Sequence, residues 1–92
     1  MSQGDVETIL AFVPDWVLTG AGKKISRDLV FKNFKEAMVF VNKVAELAER
    51  EGHHPDIAIS WNKVKLELFT HAIGGLSNND FVLAAKINEI PS

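Results

Sequence analysis

His53, His54 and His71 are all the histidines of the chain, and they are the residues best suited to move protons. An unperturbed imidazole titrates near pH 6.5, so at neutral pH it can both donate and accept. Two of them are adjacent, and Pro55 follows. Proline disfavours the helical region for the residue before it, which pushes His54 toward an extended conformation and stops a preceding helix from running through the pair. Neighbouring side chains leaving such a stiffened bend point in different directions, a workable way to hold two imidazoles around one ligand. Taken alone, a His-His-Pro at a helix end is more often a solvated turn, and a lone His71 a structural or exposed residue. Three imidazoles also raise a zinc site, since three of them plus a water form a catalytic set. The spacing argues against it, because adjacent histidines in a turn do not readily aim at one tetrahedral centre. There is no cysteine, which excludes disulfides, thiolate metal sites and a Cys nucleophile.

The element that must present the pair is a long helix. Asn33 is a good N-cap, and Glu36 stands where a capping box needs it. Phe34, Ala37, Met38, Val41, Ala45 and Ala48 lie along one helical stripe, with Val39, Phe40 and Leu47 as apolar surface outside it. So wide an apolar band in a small domain suggests a partner subunit. Gly52 suits the left-handed position just past the helix end. Ile57, Ile59 and Trp61 then alternate with Ala58 and Ser60, and Val64, Leu66 and Leu68 with Lys65, Glu67 and Phe69. With Asn62-Lys63 near the join, these are either a hairpin or one bent segment. Strand parity sets His71 at the strand end, on the face of Phe69 and away from the helix-covered core, if the strand stays regular that far. Phe69 would supply an apolar wall or an oligomer contact.

The remaining elements complete the frame. Val6, Ile9, Leu10 and Val13 suggest a short first helix ended by Pro14, Trp16-Val17-Leu18 a short strand, and Lys24 to Phe31 a second strand after the turn Gly20-Ala21-Gly22. Gly74-Gly75 breaks the chain. Ser77 with Asp80 starts a last helix carrying Phe81, Leu83, Ala84, Ile87 and Ile90. The order helix, two strands, helix, two strands, helix predicts an α+β domain, an antiparallel four-stranded sheet with its helices packed on one face.

Length and composition bound the rest. The 92 residues predict a single domain over 1–92. Hydrophobic residues at 47% and charged residues at 24% give an ordinary globular balance. A net charge of −2 provides no field to attract nucleic acid or an anionic membrane. No apolar run approaches the roughly 18 residues that cross a bilayer. Met1 to Glu7 carry acids and lack the basic start and apolar middle of a secretory signal. Together these predict a cytosolic protein.

The chemistry-bearing residues also fit a known pattern. Glu49, His53-His54-Pro55, Trp61, His71 and Asp80 are spaced as Glu, three residues, His-His-Pro, five residues, an aromatic, nine residues, His, eight residues, Asp. In this the chain resembles the pterin-4a-carbinolamine dehydratase family. Trp16, the Phe31–Phe34–Ala37–Phe40 run, Asn62-Lys63-Val64, Thr70-His71 and Gly75-Leu76-Ser77 agree, so the resemblance runs from about Trp16 to Ile90. It implies a hydro-lyase that removes water from 4a-hydroxytetrahydropterin to give quinonoid dihydropterin, recycling the cofactor of aromatic amino acid hydroxylases without a redox cofactor or a metal. Position by position, it implies His53 and His71 as proton-transfer groups at the leaving hydroxyl, with His54 orienting the pterin and sharing that work. Gly52, His53, His54, Pro55, Phe69, Thr70, His71 and Ala72 would line the substrate pocket. Asp80 is implied as a supporting residue, by capping the last helix through Ser77 or by holding an imidazole, capping being the preferred role. Glu49 reads as a helix-surface residue.

The sequence departs from the family at Ile57, where tryptophan is frequent, and at Trp61, where tyrosine is common. Some family members also act as dimerisation cofactors for a homeodomain transcription factor, through helices that otherwise build the enzyme's own tetramer. The resemblance therefore implies a homodimer or homotetramer. It also carries the coactivator role as the alternative function, with Val39, Phe40 and Leu47 as contacts and the nucleus as a further location. A zinc-dependent hydrolase is the third reading.

Overall fold

Four strands form one antiparallel sheet in the order β1-β2-β4-β3: β1 (Val17–Thr19), β2 (Lys24–Val30), β3 (Asp56–Ser60) and β4 (Lys63–Leu68). Helices α1 (Gln3–Leu10), α2 (Phe34–Glu51) and α3 (Asn78–Asn88) complete the predicted α-β-β-α-β-β-α order, with a 3₁₀ turn (His71–Ile73) before α3. The computed structural model describes residues 3–92. Met1 and Ser2, which begin both the predicted 1–92 domain and the segment read as unlike a secretory signal, lie outside the described residues. None of the described helices is long and apolar enough to cross a membrane.

The strand alternation works as period-two side-chain geometry requires. Cross-strand partners Ile25↔Leu68, Leu29↔Val64 and Ile57↔Leu66 share the face covered by helices. Lys63, Lys65 and Glu67 fall on the open face with Lys24, Ser26 and Asp28. β3 and β4 form a hairpin, not one bent segment: Ser60 pairs with Lys63 across the loop Trp61-Asn62. Asn62 ties that loop to the end of β2, its Nδ2 donating to the Phe31 carbonyl and its own carbonyl accepting Phe31 N–H, at 2.9 and 2.8 Å.

Asn33 caps α2 as expected, its Oδ1 accepting the Glu36 N–H at 2.9 Å. The face α2 buries differs from the expected one. Ala37, Phe40, Val41, Val44, Leu47 and Ala48 are buried, whereas Phe34 is half exposed and Ala45 exposed. Phe40 and Leu47 are core, not partner surface, and of the proposed contacts only Val39 faces outward. Both flanks of the central Ala37–Val41–Val44–Ala48 line are apolar in sequence, so periodicity alone leaves the rotation open. The tertiary neighbours decide it: Phe40 packs on Phe31, with ring centroids 5.2 Å apart.

At the other end, α1 stops at Leu10, four residues before Pro14, and the chain leaves through backbone bonds from Phe12 to Ile9 and from Val13 to Leu10. Trp16 precedes β1 and does not belong to it. Its indole is buried and donates from Nε1 to Asn88 Oδ1 at 2.9 Å. The same oxygen accepts Arg27 Nη1, while Asn88 Nδ2 donates to the Pro14 carbonyl, each at 2.9 Å. One amide thus joins the end of α3 to β2 and to the segment after α1. Replacing Asn88 with alanine removes three hydrogen bonds and leaves the indole N–H without its acceptor. We expect a loss of about 2 kcal/mol, a drop in Tm of roughly 8–15 °C by calorimetry.

Candidate active site

The histidine pair sits where it does because α2 ends in a glycine turn. Gly52 takes the left-handed conformation, φ 65°, and both its N–H and that of His53 return to the Ala48 carbonyl. This pattern satisfies an end-of-helix acceptor and swings the chain away from the helix axis. Pro55 biases His54 toward an extended backbone as the chain enters β3. A Cβ at Gly52 would meet no heavy atom within 4 Å, so a Gly52→Ala variant feels only the backbone strain. That strain costs about 1–2 kcal/mol and is measurable as a small fall in the urea midpoint.

The environments of the two adjacent imidazoles differ. The His53 side chain is 21% exposed and its Nε2 lies 2.5 Å from Oδ1 of Asp80, which is fully buried. Oδ2 of Asp80 accepts the Ser77 N–H and the Thr70 hydroxyl, each at 2.9 Å. Ser77 Oγ stands 2.7 Å from Thr70 Oγ1. Thr70 has a single hydroxyl proton, and Asp80 takes it, so Ser77 is the donor in that contact. A buried carboxylate held by these donors is an acceptor, which puts the proton of neutral His53 on Nε2 and leaves Nδ1 with its lone pair. Asp80 therefore fills both roles weighed for it, capping α3 and holding an imidazole. His54 is mostly exposed, and its Nε2 contacts Oε2 of Glu49, which thus also has a partner among the histidines.

His71 departs from the parity expectation. β4 stops at Leu68, and Thr70 and Gly75 pair through a 2.7 Å bond from Thr70 N to Gly75 O, closing the 3₁₀ turn that His71 begins. Gly74, φ 62°, supplies the left-handed residue that ends it. The imidazole packs on Phe69, with centroids 4.1 Å apart and planes tilted by 54°.

These segments enclose an open cleft of about 390 Å³, lined by Gly52, His53, His54, Pro55, Asp56, Phe69, Thr70 and His71. That volume is within the range of small-molecule sites. Ala72, expected in the lining, is absent from it: the chain has already turned away in the 3₁₀ segment, where Ala72 is exposed. Asp56 takes a place there that the sequence reading did not give it. Its signal was its position, directly after the proline-stiffened bend at the first residue of a strand. A larger groove of about 520 Å³ between the ends of α2 and α3 is lined by residues such as Lys43, Arg50, Glu51 and Lys86, with Lys86 and Glu51 paired at 2.5 Å, and contains no histidine. Among the described residues no three His, Asp or Glu side chains gather as a metal site would need. The Nε2 atoms of His53 and His54 face different carboxylates.

Comparison with known proteins points the same way as the motif. The family model described as pterin 4 alpha carbinolamine dehydratase matches residues 1–90. A Methylococcus capsulatus protein named provisionally as a pterin-4-alpha-carbinolamine dehydratase is 49% identical over 86 residues, which cover 94% of this chain and 75% of that one. Mitochondrial pterin-4-alpha-carbinolamine dehydratase 2 of Arabidopsis thaliana is 45% identical over 93 residues, 98% of this chain and 50% of the plant protein, so this chain spans half its length. Among solved structures, one described as a transcriptional coactivator/pterin dehydratase from Brucella melitensis superposes with a TM-score of 0.89 at 28% identity, covering 96% of this chain and 94% of that one.

Proposed function

Since the chain belongs to the pterin 4 alpha carbinolamine dehydratase family, we propose that it dehydrates 4a-hydroxytetrahydropterin to quinonoid dihydropterin by histidine acid–base catalysis. The supporting observation is the cleft itself, which His53 and His54 enter from the bend after α2 and His71 from the turn after β4. The pterin bicycle lies between these two segments, against Phe69 and Pro55. The N5 lone pair expels the C4a hydroxyl, which leaves as water once it is protonated, and loss of the N5 proton completes the C4a=N5 double bond. One proton is given and one is taken, so the histidines return to their starting charge.

His53 and His71 are the proton-transfer groups at the leaving oxygen, and His54 orients the ring and shares the transfer. His53 works through Nδ1, because Nε2 is committed to Asp80. Such transfer contributes typically 10²–10⁴-fold, and fixing the pterin in register adds to it. Asp80 supports His53, and the Thr70 hydroxyl is turned to Asp80 rather than to the pterin. The chemistry proposed uses neither a metal nor a redox cofactor. Generating the carbinolamine and following its loss by absorbance tests the proposal: the decay should quicken in proportion to protein, before and after prolonged chelation. Decay at the uncatalysed rate would refute the activity, and activity lost on chelation and restored by zinc would favour the hydrolase-type centre.

The proposed setting is the cytoplasm, where the product feeds regeneration of the tetrahydropterin used by aromatic amino acid hydroxylases. We propose further that the chain self-associates as a dimer or tetramer, through the outward Phe34 and Val39 of α2 and the free edge of β3. Light scattering at micromolar concentration should give a mass above that of one chain. The same α2 face suits a second reading, a dimerisation partner for a transcription factor and a nuclear location, toward which the description of the Brucella structure points. Variants at Val39 would then lose partner binding while variants at His53 keep it.

A further inference from the structure

We infer that Lys24 is a positioning residue for His71, acting through the ring of Phe69; the inference rests on the proton-transfer role given to His71. Lys24 opens β2, and one step beyond the Ile25↔Leu68 pair sets it opposite Phe69 on the open face of the sheet. Its Nζ stands 4.5 Å from the centroid of the Phe69 ring. That ring is 4.1 Å from the imidazole of His71. Phe69 thus touches both Lys24 and His71, and Phe69 and His71 are both in the cleft lining.

The turn before β2 also lies close to the lysine stem: a Cβ at Gly20 would stand 3.1 Å from Lys24 Cγ. An ammonium is attracted to the face of an aromatic ring, and an aromatic pair prefers offset or tilted packing such as that of Phe69 with His71. His53 and His54 are oriented by carboxylates at Nε2, whereas His71 has this ring contact. Holding the Phe69 ring therefore holds the imidazole packed against it.

The test compares Lys24→Met, which keeps the stem and removes the charge, with Lys24→Arg, which keeps a cation over the ring. Two readouts are taken: the ring-proton shifts of the three histidines, assigned with single His→Gln variants, and kcat with KM for carbinolamine dehydration. A cation at an exposed ring biases its placement by roughly two- to fivefold. Lys24→Met should therefore move the His71 signals, leave those of His53 and His54 in place, and lower kcat roughly two- to fivefold with little change in KM. Lys24→Arg should restore both. Unmoved His71 signals in the methionine variant, or Met and Arg variants that behave alike, would overturn the inference. If the unmodified chain shows no turnover, the reading of the site fails, and the spectra still decide whether Lys24 orients His71.

Discussion

Replacing His53 with glutamine is expected to lower the dehydration rate by about 10²–10⁴-fold while leaving the fold nearly as stable as before. Glutamine places an amide N–H close to where Nε2 of His53 stands, so it can still donate to Asp80 Oδ1. It offers no group that exchanges a proton at neutral pH. His53→Ala should lose the same activity and also stability, because the carboxylate then faces the site with one oxygen unpaired. The comparison separates proton transfer from scaffolding. A glutamine variant that turns over within about threefold of the unmodified chain would fall far short of the loss expected on removing an acid–base group, and would remove His53 from the mechanism. His71→Gln should lose rate in the same way, with less change in stability, since its ring is exposed.

The second large effect is on stability. Asp80 is fully buried and accepts from His53, Thr70 and Ser77, joining the bend after α2, the segment after β4 and the start of α3. Asp80→Ala leaves those donors without an acceptor and removes one half of the cap of α3. A hydrogen bond to a charged group is worth about 1.5–3 kcal/mol, so losing three costs at least about 4 kcal/mol, a large part of the 5–15 kcal/mol that holds a typical domain. We expect Tm to fall by at least roughly 12 °C, together with loss of activity.

Asp80→Asn separates the two roles. Its amide oxygen can keep the Ser77 and Thr70 bonds, which places its NH₂ against His53 and forces the imidazole to accept at Nε2. The proton then moves to Nδ1 and occupies the lone pair through which His53 is proposed to take up and hand on a proton. Stability should be largely retained while the rate falls at least about tenfold, as a wrong tautomer predicts. An asparagine variant with normal turnover would show that the tautomer of His53 does not matter.

Much of this frame is legible in the sequence because it rests on local rules. Asn33 and Glu36 announce the start of α2, Gly52 its end, and the alternation of Val64, Leu66 and Leu68 the buried face of β4. Ser77 and Asp80 mark the start of α3 in the same way. What is not legible depends on partners far along the chain. The buried flank of α2 was set by Phe31 meeting Phe40, and both flanks read as apolar. The end of β4 was set by the pairing of Thr70 with Gly75, which cut the strand short and turned Ala72 out of the cleft.

The site was legible in a different sense. The pair His53-His54 and the bend at Pro55 follow from residue types, but nothing local brings His71 to the same place, and the spaced motif supplied that link. Asp80 was read as a cap or an imidazole partner because each role uses a carboxylate at one position. The fold lets it do both, with one oxygen for each. Lys24 gave no signal at all, since its contact with Phe69 exists only once β2 lies beside β4.

The claim on which the rest stands is that one small bicycle is held by imidazoles from two distant segments. Titration with an unreactive dihydropterin, followed through the histidine ring-proton resonances, tests it directly. The signals of His53, His54 and His71 should all move, with one common dissociation constant and one pterin per chain. Signals of His71 that stay fixed while those of the pair move, or that follow a separate binding constant, would contradict a shared site.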